Sequence, residues 1–265
     1  MKQRIITAII FVAVLLPLVI FGGWPLMLLA YFLGTVALYE LLRMKKMNIF
    51  SIPGILSLLI LWLLIMPVEQ YENIFSSLEM DKTDILLVGV LLLLTYSVVS
   101  KNRFTYDDIA FMLLSIIYIG LGFHYFYETR DAENGLTLIF YSLFIIWATD
   151  SGAYFVGKSL GKRKLWPEIS PNKTVEGSIG GVVCAIVVAI LFGLLTDLGE
   201  SILQITLITI VLSVFGQIGD LAESAFKRHY GVKDSGKLLP GHGGVLDRFD
   251  SLLFVWPLLH LLQFV

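Results

Sequence analysis

The chain has 265 residues, 57% of them hydrophobic and only 15% charged, with a mean hydropathy of +0.84. Soluble domains are about 45–50% apolar and roughly a quarter charged, so this composition excludes a disordered chain, a basic nucleic-acid-binding domain and a soluble enzyme of ordinary make-up. A single cysteine, Cys184, excludes an internal disulfide framework and Cys-rich zinc modules, and a net charge of −2 leaves the distribution of charge as the informative quantity.

A hydrocarbon core about 30 Å thick takes about 20 apolar residues in helical form. Nine segments answer to that description: 5–22, 24–42, 51–67, 83–100, 108–127, 136–156, 177–196, 202–219 and 251–265. The expected fold is therefore an all-α, polytopic integral membrane protein with about nine transmembrane helices. The first two segments are separated only by Gly22-Gly23-Trp24-Pro25, a tight turn that makes them a helical hairpin. Lys2 and Arg4 followed by an apolar run resemble a signal peptide, but the run is too long and no A-x-A-like site follows it, which favours an uncleaved first helix. No polar stretch is long enough for a soluble domain. The chain reads as one continuous membrane domain, with residues 1–135 as a lipid-facing helical scaffold and 136–265 as a catalytic region carrying two cytoplasmic polar loops.

Charge sets the orientation. With the N-terminus inside, 17 of the 19 lysines and arginines fall on the cytoplasmic side and only Lys82 and Arg130 outside, the asymmetry of the positive-inside rule. The two most polar loops, 157–176 and 220–250, then face the cytoplasm.

Those loops and their flanking helix ends concentrate the chemistry. Asp247 and Asp250 stand three apart at the start of the last apolar segment, and Asp220 and Glu223 repeat the spacing at the end of the preceding one. On a helix such pairs share a face. The four carboxylates suit Mg²⁺, which prefers carboxylates together with substrate phosphate; Asp247 and Asp250 equally suit a helix N-terminus through the macrodipole. Asp150 lies in an otherwise apolar helix, where an ionisable group marks function by default and a structural Lys or Arg partner is the alternative. Lys162-Arg163-Lys164 suits anionic headgroups. Lys173 is held between Pro and Gly, while Lys227, Arg228, Lys233 and Arg248 interleave with the acids. Such mixed charge suits a metal and a polyphosphate bound together. His242, in Pro240-Gly-His-Gly-Gly, reads as a general base, a phosphate contact or a turn residue, and Gly243 and Gly244 let backbone approach a ligand. His260 and Gln263 are expected to satisfy each other or a neighbouring helix.

The run Ser224-Ala-Phe-Lys-Arg, four residues, Lys233-Asp-Ser-Gly, two residues, Leu239-Pro-Gly-His-Gly-Gly-Val-Leu-Asp-Arg-Phe-Asp250 resembles the signature of the phosphatidate cytidylyltransferases, or CDP-diacylglycerol synthases, without departure across 27 residues. Asp150-Ser-Gly-Ala-Tyr and Ser170-Pro-Asn-Lys-Thr-Val-Glu-Gly are similar to the same family. The resemblance implies that CTP and phosphatidic acid give CDP-diacylglycerol and pyrophosphate, with Mg²⁺ required, in a homodimer in the bacterial cytoplasmic membrane and without a nucleic-acid partner. On that reading the phosphatidate oxygen attacks the α-phosphorus of CTP in line. A phosphate monoester is already ionised near neutral pH (second pKa about 6), so positioning and charge neutralisation are what the protein must supply. Asp220, Glu223, Asp247 and Asp250 would hold the metal, with Asp247, Asp250, Lys227 and Arg248 as the catalytic set. Lys173, Ser170, Asn172, Thr174, Arg228, Lys233, His242, Gly243, Gly244 and Asp150 would bind substrate. The rival readings are a CTP-using polyprenol or phytol kinase, which would release CDP, and a secondary transporter with Gly-interrupted helices.

Overall fold

The computed structural model describes residues 2–75, 77, 80–241 and 243–265. The chain is mostly helical and divides into two compact units, residues 1–128 with 235–245 and residues 129–234 with 246–265. Among the described residues six helices are long and apolar enough to cross a membrane, or seven if one bent pair counts as a single span. This is an integral membrane architecture, and the segment 235–245 belongs with the first unit.

The first unit contains α1 (Lys2–Phe21), α2 (Gly23–Met44), α3 (Ile52–Ile65), α4 (Val68–Phe75), α5 (Lys82–Val99) and most of α6 (Tyr106–Asp131). Gly22 and Gly23 turn the chain between α1 and α2 with φ of 66° and 54°, a region that favours glycine. The expected 51–67 segment corresponds to α3, and the chain bends by 110° between α3 and α4. That bend is stitched by two charged side chains. Lys82 Nζ donates to the carbonyls of Leu64 and Met66 at 3.0 and 2.6 Å, covering the open end of α3, and Glu128 Oε1 accepts from the Val68 N–H at 3.0 Å where α4 begins. Helix ends leave such groups without intrahelical partners.

The second unit contains α7 (Gly135–Leu160), a two-stranded antiparallel ribbon of β1 (Lys164–Trp166) and β2 (Ser170–Thr174), then α8 (Val175–Leu195), α9 (Ile202–His229), α10 (Leu246–Phe249) and α11 (Leu252–Leu261). The ribbon departs from the all-α expectation. It is closed by Glu176, whose carboxylate accepts the backbone N–H groups of Lys162 and Arg163. The expected last span, 251–265, is instead a ten-residue helix preceded by one turn of α10. Helices α7 and α8 meet through small residues: a Cβ on Gly181 would lie 2.7 Å from the Thr149 carbonyl and one on Gly177 2.7 Å from the Ala153 carbonyl. Membrane helices use such faces to bring backbones together. Buried polar pairs tie the bundle across elements, with Thr149 Oγ1 2.8 Å from Ser213 Oγ and the Trp256 indole N–H donating to Ser142 Oγ at 3.2 Å. His260 finds its partner on α6, 3.0 Å from Thr129 Oγ1.

Candidate active site

In the second unit α7, β2, α8 and α9 surround a cavity of about 450 Å³ lined by Asp150, Tyr154, Lys158, Asn172, Lys173, Thr174, Ser178, Gln217 and Asp220. Its geometry follows from the elements. The glycine face between α7 and α8 holds those helices close, so the ribbon between them folds over the gap and delivers Lys173. Thr174 serves as the N-cap of α8, its hydroxyl accepting the Gly177 N–H at 3.1 Å, which fixes where β2 ends and where Lys173 points. Helix α9 is 28 residues long, ten more than its apolar run, and the extra turns carry Asp220, Glu223 and Lys227 on a continuous, rigid axis.

Lys173 and Asp220 form an ion pair at the cavity wall, both side chains about 30% exposed. Two turns further along α9, Lys227 pairs with the fully buried Glu223 and, at 2.6 Å, with Asp247 on α10. Asp250 follows α10, where its Oδ1 accepts the Ser251 N–H at 2.7 Å. Burial, and then the nearby charge of Asp220, push its carboxyl up to about 7. Asp150 faces Asp220 and Lys173 across the cavity closely enough for their charges to interact. Gly219 makes this crowding possible: a Cβ there would stand 2.6 Å from the Asp250 carbonyl and 3.1 Å from Ser251 Cα. Helix α9 and the α10–α11 turn thus touch backbone to backbone beside the acids.

The structure therefore gathers Asp150, Lys173, Asp220, Glu223, Lys227, Asp247 and Asp250 in one unit, and Asn172 and Thr174 share the cavity lining with Asp150, Lys173 and Asp220. Asp220 and Glu223 pair with different lysines, while Asp247 and Asp250 share the single turn of α10, the Asp250 N–H donating to the Leu246 carbonyl at 3.0 Å. Among the described residues no three His, Cys, Asp or Glu side chains converge as a ready-made metal cage. The donor set nonetheless fits Mg²⁺, which takes one or two carboxylates and completes its shell with water and substrate phosphate. Glu223 Oε1 is buried without a hydrogen-bond partner among the described residues, and Asp150, Asp220 and Asp250 crowd like charge together.

The remaining expected site residues are more dispersed. Ser170 begins β2, Arg228 is exposed and donates from Nε to the Ile169 carbonyl at 3.2 Å, and Lys233 and Arg248 are exposed. Gly243 and Gly244 belong with the first unit, where Gly244 packs against Glu40. His242 lies outside the described residues. Sequence reasoning passed over Tyr154, Lys158, Ser178 and Gln217 of the cavity, and Glu40 altogether. Only Lys158 and Gln217 carried a signal, as polar groups near the ends of apolar segments.

Fold and site together define a polytopic helical membrane protein whose pocket has the mixed carboxylate and lysine make-up that phosphate chemistry uses. The sequence matches the cytidylyltransferase family over residues 2–265, and the chain belongs to that family. It is 58% identical to the phosphatidate cytidylyltransferase of Bacillus subtilis (strain 168) over 99% of this chain and 97% of that protein. It is also 50% identical to the protein of the same name from Staphylococcus haemolyticus and 48% identical to that from Staphylococcus aureus (strain COL), over 99% of this chain and 98% of each relative.

Proposed function

We propose that this chain is a phosphatidate cytidylyltransferase of phospholipid biosynthesis, moving the cytidylyl group of CTP to phosphatidic acid with release of pyrophosphate. The observation that carries the reading is the full-length match to relatives of that name. The cavity walled by Asp150, Lys173 and Asp220 supports it, since it sets cationic and anionic groups side by side where a polyphosphate and its counter-ion would meet.

The attacking phosphatidate oxygen is ionised at neutral pH, so the residues are needed for placement and electrostatics. Lys173, released from Asp220 when phosphate arrives, holds phosphate oxygens at the cavity wall; Asn172 and Lys158 add donors on the same rim. Lys227 keeps Glu223 and Asp247 in register across α9 and α10. Arg228, Lys233 and Arg248 add positive charge in the same unit and Ser170 adds a hydroxyl, while the signature they belong to assigns His242, Gly243 and Gly244 to substrate binding. Asp220 and Asp250, with Glu223 and Asp247 behind them, would hold Mg²⁺, which when bound supplies neutralisation of the phosphate charge.

The distribution of lysine and arginine supports an N-terminus and a site on the cytoplasmic side of a bacterial membrane, where CTP is found, in a multi-span chain that works as a homodimer. The catalytic work falls to residues 136–265, with 1–135 as scaffold. The test is to incubate the purified protein with phosphatidic acid, Mg²⁺ and each nucleoside triphosphate in turn. Pyrophosphate release with CTP is expected, and its absence overturns the reading; release of CDP instead would mark a kinase.

A further inference from the structure

Four helix ends of the first unit meet in one place: the end of α2, the start of α3, the end of α5 and the start of α6. Side chains tie them there. Lys45 pairs with Asp108 at 2.7 Å and donates to the Asp107 carbonyl at 2.9 Å, joining α2 to α6. Ser57 Oγ lies 3.2 Å from Met112 Sδ, joining α3 to α6. A Cβ on Gly89 would stand 2.6 Å from Ile60 Cδ1, so α3 and α5 are in close contact. Between the connections that leave α2 and α5 opens a cavity of about 690 Å³, with Asn48, Ser51, Ser100, Lys101, Arg103 and Asp108 in its wall. All of its lining belongs to the first unit. Since α2, α5 and α6 are each apolar and long enough to cross a membrane, the cavity sits at the level where the spans leave the hydrocarbon.

The cavity is cationic. Residues 43–51 and 100–108 hold five lysines and arginines against two aspartates. Asp108 is already matched by Lys45 and accepts from the N–H and the hydroxyl of Thr105. Lys101 and Arg103 are exposed, and among the described residues no carboxylate pairs with either. Their backbone is nonetheless fixed. Lys101 and Asn102 take left-handed φ of 56° and 59°, uncommon for residues with a side chain. The Lys101 N–H donates to the Val98 carbonyl at 3.0 Å and the Asn102 N–H to the Ser97 carbonyl at 2.9 Å. On the other connection Asn48 Oδ1 accepts the Phe50 N–H at 2.9 Å, which leaves the Asn48 amide nitrogen as a donor.

What lies beside the cations decides the kind of anion. Val88, Leu92, Thr95 and Val99 of α5 follow one helical face, and all four are exposed. Thr95 turns its hydroxyl back to the Leu91 carbonyl at 2.7 Å, so the stripe is apolar along its length of about 17 Å. It ends at Val99, which itself lines the cavity. Phe50 and Tyr106, 82% and 73% exposed, stand on the two connections, as aromatic side chains do at a membrane interface. A free phosphate makes no use of such a wall, whereas a lipid with a charged headgroup does. We infer that the first unit carries a headgroup site for an anionic phospholipid. Lys101 and Arg103 hold its phosphate, the Asn48 amide donates beside them, and an acyl chain follows the stripe from Val99 to Val88. The site is independent of whatever reaction the second unit performs.

The experiment measures lipid binding to the detergent-purified protein by native mass spectrometry, with phosphatidylglycerol as the anionic probe and phosphatidylcholine as the zwitterionic one. A lysine or arginine near the membrane surface contributes about 1 kcal/mol toward an anionic lipid. Wild type should therefore hold one phosphatidylglycerol about tenfold or more tighter than phosphatidylcholine. K101Q and R103Q should each weaken it about fivefold, and the double variant more than about tenfold. Lys237→Gln removes an exposed lysine of the same unit outside the cavity and should bind as wild type does. Equal binding of the two lipids by wild type overturns the inference without reference to any variant. So does wild-type binding by the double variant, or an equal loss in K237Q, which would make the attraction diffuse. Millimolar inorganic phosphate should leave the lipid bound; its displacement would mark a site for free anions and would also overturn the inference.

Discussion

Lys227 Nζ stands 2.6 Å from Asp247 Oδ1 and pairs at the same time with Glu223, one turn back on its own helix. A single ammonium thus neutralises two enclosed carboxylates, Glu223 fully buried and Asp247 with 8% of its side chain exposed, and links α9 to α10. Removing one member of a buried ion pair is far more costly than the net worth of the pair, about 3–5 kcal/mol, because the partner is left charged and enclosed. Lys227→Met should therefore lower the melting temperature of the purified protein by several degrees and abolish turnover, while Lys227→Arg should keep most of the stability. A K227M protein that melts with wild type would show that the pair carries no such load.

Lys173 and Asp220 behave differently because their pair is open. Each side chain is about 30% exposed at the cavity wall, and an ion pair in that setting contributes only about 0–1 kcal/mol. Lys173→Met and Asp220→Asn should each leave the melting temperature nearly unchanged and reduce pyrophosphate release by about a hundredfold or more, the loss expected when a preorganised charge is taken from a phosphate-transfer site. A K173M enzyme with wild-type kcat/KM would remove Lys173 from the substrate-binding set.

The site was legible in the sequence to the extent that its residues were out of place there. Asp150 inside an apolar helix and Lys173 fixed between Pro and Gly are conspicuous because membrane spans otherwise exclude charge, and both line the cavity. The helical spacing of Asp247 and Asp250 is kept, because the Asp250 N–H donates to the Leu246 carbonyl at 3.0 Å and closes the single turn of α10 over both residues. The ribbon of β1 and β2 was hidden because its eight residues carry no apolar alternation. Lys82 counted merely as an exception to the charge rule, whereas it caps α3 at the 110° bend. Glu40 was invisible for a different reason. A lone glutamate three residues before Arg43 looks like an interfacial charge, and its partners Ser235 and Val245 lie 195 and 205 residues away.

Gly219 is where backbone approach sets the spacing of the acids. A Cβ there would stand 2.6 Å from the Asp250 carbonyl and 2.9 Å from Phe254 Cδ2, both held by α10 and α11 and not free to retreat. Overfilling a packed contact of this kind costs about 1–3 kcal/mol. Gly219→Ala should lower the melting temperature by a few degrees and also depress kcat out of proportion, because the displacement separates Asp220 from Asp250. Equal activity in the G219A protein would mean that the distance between these two carboxylates does not matter to turnover.

Asp250 offers the sharpest test of the metal assignment. It lies within electrostatic reach of both Asp220 and Asp150, and three carboxylates so close repel one another until a cation arrives. Asparagine in place of Asp250 keeps the shape and removes one of the three charges. Without added metal, Asp250→Asn should be at least as thermostable as wild type and equally well inserted in the membrane. With Mg²⁺ and CTP present, wild type should gain melting temperature by the usual linkage of ligand binding to stability, and the variant should gain much less. Turnover of the variant should fall close to zero across the Mg²⁺ range, because the lost group is a ligand whose charge extra cation cannot replace. A fully active Asp250→Asn enzyme with an unchanged Mg²⁺ response would place the metal elsewhere, leaving the Asp150, Asp220 and Asp250 cluster to tune the cavity for Lys173 instead.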